Sequence, residues 1–234
     1  MSKLKVVILT GAGISAESGI KTFRDADGLW EGHDVMSVAS PEGWRQDREL
    51  VLDFYNQRRR QLKEVEPNAG HIALTELEEK FNTVVLTQNV DNLHERAGSR
   101  NIIHLHGELC KSRSSLDAKL VFDCTDDINL GDKCPKGSQL RPHIVWFGEQ
   151  VPMLEKAVAE IKDADVVMII GTSMQVYPAA SLTAYAPPTS PIFYIDPRPT
   201  INHELAAAKN LTVIEENAST GVRKVVDDLL ALDV

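Results

Sequence analysis

Cysteine is scarce in this chain. Only Cys110, Cys124 and Cys134 occur among 234 residues, and no two are spaced as a Cys-x-x-Cys pair. A small, odd number excludes a disulfide framework and fits reduced thiols. Long apolar runs are missing too, and none approaches the roughly 20 residues that span a bilayer. The first residues hold two lysines and then Val6-Val7-Ile8-Leu9. That run is too short for a signal-peptide core and has no cleavage site, so it reads as a buried strand. A cytoplasmic location and no membrane partner are therefore expected. Excess positive charge is absent as well. Lys and Arg number 25 against 34 Asp and Glu, a net charge of −9. Such a chain gains no overall attraction to nucleic acid, which is excluded as an expected partner. The one basic run, Arg58-Arg59-Arg60, has the bland reading of a solvated helix face. There is no low-complexity tract and no internal repeat.

What remains is an ordinary globular composition, 43% hydrophobic and 25% charged. The length suits one large α/β domain, with or without a small insert. Unbroken apolar runs predict strands at 6–9, 83–86, 101–104, 165–171, 192–195 and 211–214. Such runs suit parallel strands buried on both faces. Helical spacing predicts helices over 50–64, 68–80, 153–162 and 220–232, the last capped by Thr220. Residues 25–45 and 111–139 break the rhythm. The expected fold class is α/β: a Rossmann-like parallel sheet with helices on both faces, plus a small lobe formed by insertions. The core is expected over about 1–24, 81–110 and 141–234, and the small lobe over about 25–80 and 111–140, within a single domain.

Gly11-Ala12-Gly13-Ile14-Ser15-Ala16 follows the first strand and opens a helix. It fits G-x-G-x-x-G/A, in which glycines allow a tight turn and close backbone approach to a pyrophosphate. A dehydrogenase would continue to a second strand ending in an acidic residue. Here Thr22-Phe23-Arg24-Asp25-Ala26-Asp27-Gly28 follows instead, which counts against hydride transfer.

The run from Gly11 to Ile20, with Thr22-Phe23-Arg24 behind it, resembles the signature of the sirtuin family. Further motifs stand in that family's order: Gln88-Asn89-Val90-Asp91, then His104-Leu105-His106-Gly107, then Val145-Trp146-Phe147-Gly148, then Gly171-Thr172-Ser173. The resemblance covers essentially the whole chain. It implies attack by an acyl-lysine carbonyl on the nicotinamide ribose of NAD, consumed as co-substrate. Release of lysine from the resulting alkylimidate follows. By the resemblance His106 is the general base, for which imidazole is suited by its pKa, and Asn89 and Asp91 complete the catalytic set. Asn89, Asp91, Gln88 and Val90 would hold the nicotinamide ribose and carboxamide. Gly11, Ala12, Gly13, Ser15, Ala16, Gly171, Thr172 and Ser173 would hold the phosphates. Phe23 and Arg24 fall in the family's cofactor loop, and Val145, Phe147 and Gly148 in its substrate segment. Asp196 stands where the family has asparagine, and Ala218 where it places a small residue beside adenine. His104 receives no role.

Tyr55 and Arg58 lie i, i+3 on a predicted helix and so share a face. They match the Tyr-x-x-Arg pair of the sirtuin branch that removes succinyl and malonyl groups. A guanidinium can hold a distal carboxylate through two parallel bonds, and a tyrosine adds a donor. The partners implied are acylated-lysine proteins or peptides, with removal of acetyl a second activity and a monomer the expected state. The family's zinc cysteines align with Ser114, Asp117, Cys134 and Gly137, so one ligand of four survives. Zinc is not expected, although Cys110, Cys124 and Cys134 with His104 or His143 form an alternative donor set. Two other readings stay open: a non-catalytic NAD or ADP-ribose binding module, and a mono-ADP-ribosyltransferase.

Overall fold

A computed structural model describes residues 3–21 and 29–232 of the chain, so the expectations for Phe23 and Arg24 lie outside the described residues. Along the chain run β1 (Lys5–Thr10), a 3₁₀ helix (Ala12–Ser18), β2 (Leu29–Trp30), β3 (His33–Asp34), α1 (Val35–Val38), α2 (Pro41–Gln46), α3 (Arg48–Leu62), α4 (Ala69–Lys80) and β4 (Asn82–Thr87). Then come α5 (Leu93–Ala97), β5 (Ile102–His104), β6 (Gly107–Ser114), β7 (Val121–Asp123), β8 (Leu140–Ile144), α6 (Leu154–Lys162) and β9 (Val166–Ile170). A second 3₁₀ helix (Ala179–Tyr185), β10 (Ile192–Ile195), α7 (His203–Ala206), β11 (Leu211–Ile214) and α8 (Ala218–Leu230) complete the order.

Six strands form a parallel sheet in the order β11-β10-β9-β1-β4-β5. Alternate side chains of a strand face opposite sides, and both sides are apolar. Val6, Ile8, Val85 and Met168 meet Leu74 and Leu77 of α4 and Val222, Val225 and Val226 of α8. Val7, Leu9, Val84 and Val167 meet Ala157 and Ile161 of α6 and Leu182 of the second 3₁₀ helix. The chain leaves β1 toward β4 and β5, and comes back beside β1 at β9 to build the other half. The strand order thus reverses between β1 and β9, and a crevice opens outside the carboxyl ends of the strands.

The small lobe is a three-stranded antiparallel sheet, β7-β6-β8, packed with α1 to α3. Its core joins Trp44, Leu52, Phe54 and Tyr55 to Leu109, Ile144 and Trp146.

Several expected boundaries shift. Helix α4 falls inside the span assigned to the small lobe, yet it packs on the large sheet beside α8. Residues 107–110 and 141–144, assigned to the core, are strands of the small sheet. Amphipathic spacing reveals that a face is buried, not which sheet covers it. The glycine-rich turn opens a 3₁₀ helix rather than an α-helix. Helix α8 begins two residues before Thr220, with Asn217 at its N-cap, and Thr220 Oγ1 donates to the Asn217 carbonyl at 3.3 Å.

Candidate active site

A cavity of about 800 Å³ lies between the carboxyl ends of the large sheet and the small lobe. Its sheet side is mostly backbone. The Gly11 N–H donates to the Ile170 carbonyl at 3.0 Å, and the Gly13 N–H to the Gly171 carbonyl at 2.7 Å, which closes the β1 loop onto the β9 loop. Gly171 has φ +60, and a Cβ there would lie 2.3 Å from the Ile14 nitrogen. A Cβ on Gly13 would lie 2.6 Å from the Gly171 Cα. Only glycine fits at these positions. The Gln88 Nε2 donates to Thr172 Oγ1 at 3.1 Å and ties in the β4 loop. Gly11, Ala12, Gly13, Ala16, Gln88, Asn89, Val90, Asp91, Gly171, Thr172, Ser173 and Asp196 all line the cavity.

Two expected residues do not line it. Ser15 is fully buried beneath the wall: its hydroxyl donates to Asp91 Oδ2 at 3.0 Å and accepts from Asn89 Nδ2 at 3.2 Å. It therefore orients the Asn89 and Asp91 side chains instead of facing a phosphate. Ala218, the first residue of α8, is buried in the core, and its neighbour Asn217 reaches the cavity in its place.

His106 follows β5 and lines the cavity. Its Nδ1 is 3.1 Å from the Gln88 carbonyl. A carbonyl can only accept, so Nδ1 carries the proton and Nε2 is the basic nitrogen. Burial lowers the His106 pKa, against the Gln88 bond, which keeps the ring neutral near pH 7. Gly107 behind it has φ +85, and a Cβ there would meet the His143 carbonyl. Burial raises the Asp91 pKa against the bonds from the Leu93 N–H and Ser15. His104, given no role from sequence, reaches the Asn89 carbonyl through Nδ1 at 3.1 Å and Glu95 through Nε2 at 2.7 Å. It holds the loop that carries Asn89. Its pKa is raised: burial pulls it down, but the Glu95 carboxylate, the Asn89 carbonyl and Glu108 together more than offset that.

The small-lobe side is built from side chains. Tyr55 and Arg58 project from α3, as their spacing predicts, and both line the cavity with Val145, Phe147 and Gly148. Tyr55 is fully buried, and its hydroxyl accepts from Trp146 Nε1 at 3.1 Å. Burial raises its pKa, so it stays a donor. Trp146 is held in turn: the Arg141 guanidinium lies 3.2 Å over its ring, and its backbone N–H donates to Glu149 at 2.9 Å. Glu149 also takes Arg113 and Arg141. The Arg58 guanidinium lies 4.2 Å from the centre of the Phe54 ring and donates to the Phe54 carbonyl at 2.8 Å. Val145 and Phe147 are fixed by their N–H groups, on the His106 and Ala39 carbonyls. Sequence reading gave no role to Trp30, Glu31 or Trp146, which line the same end.

The four positions aligned with zinc cysteines do come together, closed by hydrogen bonds. Ser114 Oγ and Ser138 Oγ are 2.7 Å apart, Cys134 Sγ is 3.2 Å from Ser138 Oγ, and Lys136 pairs with Asp117 at 2.9 Å. Gly137 turns the chain at φ +82 and donates to the Cys134 carbonyl. Among the described residues no group of His, Cys, Asp or Glu is placed to hold a metal, and no helix is long and apolar enough to cross a membrane.

A family model described as the Sir2 family matches residues 11–178. A protein of Helicobacter pylori named NAD-dependent protein deacylase is 56% identical over 227 residues, which cover 97% of this chain and 98% of that protein. One of the same name from Bacteroides thetaiotaomicron is 52% identical over 225 residues, 94% of this chain and 95% of that protein. The crystal structure of a Sir2 homologue in complex with NAD superposes with a TM-score of 0.86 at 38% identity, over 97% of this chain and 90% of that one.

Proposed function

The chain belongs to the Sir2 family and is an NAD-dependent protein deacylase; from there we propose that it acts on lysines carrying short acidic acyl groups, succinyl and malonyl first and acetyl second. The observation that supports this preference is the placement of Tyr55 and Arg58 in the same cavity as His106. A neutral acetyl group has no use for a guanidinium there, whereas a distal carboxylate does.

The residues fit the dinucleotide. Gly11, Gly13 and Gly171 line the cavity and let its two loops pack backbone to backbone, where any Cβ would clash. Thr172 and Ser173 stand beside them, and Asp196 and Asn217 lie at the cavity's far end. When bound, NAD supplies a ribose carbon made electrophilic by departing nicotinamide. His106 Nε2 accepts the proton of the ribose hydroxyl that takes the acyl group, while Nδ1 stays bonded to the Gln88 carbonyl. Asn89 and Asp91, oriented by Ser15, face the nicotinamide end. Val145, Phe147 and Gly148 take the peptide beside the acyl-lysine, between the lobes. Tyr55 and Arg58 donate to the acyl carboxylate. The products are nicotinamide, O-acyl-ADP-ribose and free lysine. A cytoplasmic monomer completes the reading.

The test uses one peptide carrying either succinyl-lysine or acetyl-lysine, with NAD and mass spectrometry of the products. Faster succinyl removal with O-succinyl-ADP-ribose formed is the expected result. Acetyl removal alone would refute the acyl preference, and ADP-ribose left on the peptide would replace deacylation by a transferase.

A further inference from the structure

The cationic end of the cavity already contains a carboxylate. Glu31 Oε2 lies 3.8 Å from Arg58 Nη2 and 3.0 Å from Lys21 Nζ. Glu31 and Arg58 are each 14% exposed at the side chain, against 71% for Lys21, and all three line the cavity. Glu31 is placed there by the backbone. Trp30 pairs with His33 across β2 and β3, so Glu31 and Gly32 are the two residues of a tight hairpin turn. Both have positive φ, 50 for Glu31 and 83 for Gly32. Such turns require this conformation and favour glycine or asparagine, so a glutamate is unusual at that position. Trp30 anchors the hairpin on α3, with ring centres 4.9 Å from Phe54 and 6.1 Å from Tyr55. A residue strained in the backbone and aimed at the acyl-binding arginine calls for a role there.

We infer that Glu31 is a specificity-determining residue, a resident carboxylate that competes for Arg58 and is left to Lys21 alone when the carboxylate of an acidic acyl group arrives. The inference rests on the acidic-acyl reading given above. At 3.8 Å the Glu31–Arg58 contact is too long for a hydrogen bond, so an acyl carboxylate that reaches Arg58 directly displaces it by forming shorter, paired bonds. Lys21 is already in contact and keeps Glu31 compensated after the exchange. A neutral acyl group gains nothing from Arg58 and leaves the pair in place. Glu31 thereby raises the threshold for acidic acyl groups, and Lys21 lowers it.

The experiment measures kcat and KM on succinyl-lysine and acetyl-lysine forms of one peptide at saturating NAD, for the wild-type chain, Glu31→Gln, Lys21→Met and the double variant. Glu31→Gln is expected to raise the succinyl-over-acetyl ratio of kcat/KM about fivefold, through a lower succinyl KM, the size of one partly exposed ion pair. Lys21→Met is expected to lower that ratio about threefold, because Glu31 is left with Arg58 alone. In the double variant the Lys21 effect should vanish. Glu31→Asn removes the same charge with a residue suited to the turn, so a folding defect in Glu31→Gln is told apart from a failed inference. A ratio unchanged or lowered in both Glu31 variants overturns the proposal, as does a Lys21 effect that persists without Glu31. A wild-type chain that does not remove succinyl overturns the acidic-acyl reading, and this inference with it, before any variant is compared.

Discussion

On the sheet side, the cavity is met by backbone: Gly11, Gly13 and Gly171 press loop against loop, and the polar side chains behind them are locked by short bonds such as Ser15 to Asp91 at 3.0 Å. On the small-lobe side it is met by side chains, with Tyr55 and Trp146 held in a relay from Glu149 through Arg141, and Arg58 held on the Phe54 carbonyl. The first wall suits a ligand that never changes, the dinucleotide. On the proposed reading the second suits a ligand that varies, the acyl group, because one side-chain substitution can alter it without moving the sheet. The comparison predicts that damage to the first wall harms every substrate alike, and that damage to the second separates substrates.

The largest effect is expected at His106, which stands where the walls meet. His106→Ala should cut kcat about a thousandfold on succinyl and acetyl peptides equally. Near-normal turnover on either would remove the base assignment.

Acid tests the sheet wall next. His71 is fully buried beneath it, against His94, with ring centres 4.9 Å apart. Burial lowers the His71 pKa from 6.5 to about 4 and holds His94 well below its ordinary value. Between those values the unfolded chain binds protons that the folded chain refuses, so stability falls as pH falls from 6.5 toward 4. For His71 alone the loss is about 3 kcal/mol, complete near pH 4. Urea unfolding followed from pH 7 to 4.5 checks it, and a flat midpoint would contradict the buried neutral pair.

Trp146→Phe sharpens the contrast from the other side. It removes the donor to the Tyr55 hydroxyl and keeps a ring, so succinyl kcat/KM should fall about fivefold. The KM for NAD should stay put. A shift in NAD KM would mean that the two walls are not separate.

The smallest effect is expected in the hydrogen-bonded cluster that stands where zinc ligands would be. Ser138→Ala breaks the bonds to Ser114 and Cys134 and should cost about 1 kcal/mol of stability, read as a lower urea midpoint, with turnover retained. Lost turnover in a folded variant would make the cluster part of the site.

Much of the sheet wall was legible in the sequence, for a physical reason. Its groups are contiguous in the chain, at the ends of strands buried on both faces, so apolar runs mark the strands, while the roles of Gln88-Asn89-Val90-Asp91 at one such end came from the resemblance to the sirtuin family. That Tyr55 and Arg58 share a face was legible from helical spacing, and their pairing came from the same resemblance. What escaped depends on long-range closure. Nothing local says that α4 covers the large sheet, that Ser15 turns inward to Asp91, or that Asn217 rather than Ala218 reaches the cavity. Glu31 escaped because its position follows from a hairpin turn two residues long, with strands too short to leave an alternating pattern.

The division of labour is tested most directly by Arg58→Met, with kcat/KM measured on succinyl-lysine and acetyl-lysine peptides and KM measured for NAD. The account predicts a fall of about thirtyfold in the succinyl-over-acetyl ratio, the size of a lost hydrogen bond to a charged group, with NAD KM unchanged. Equal losses on both peptides would contradict it.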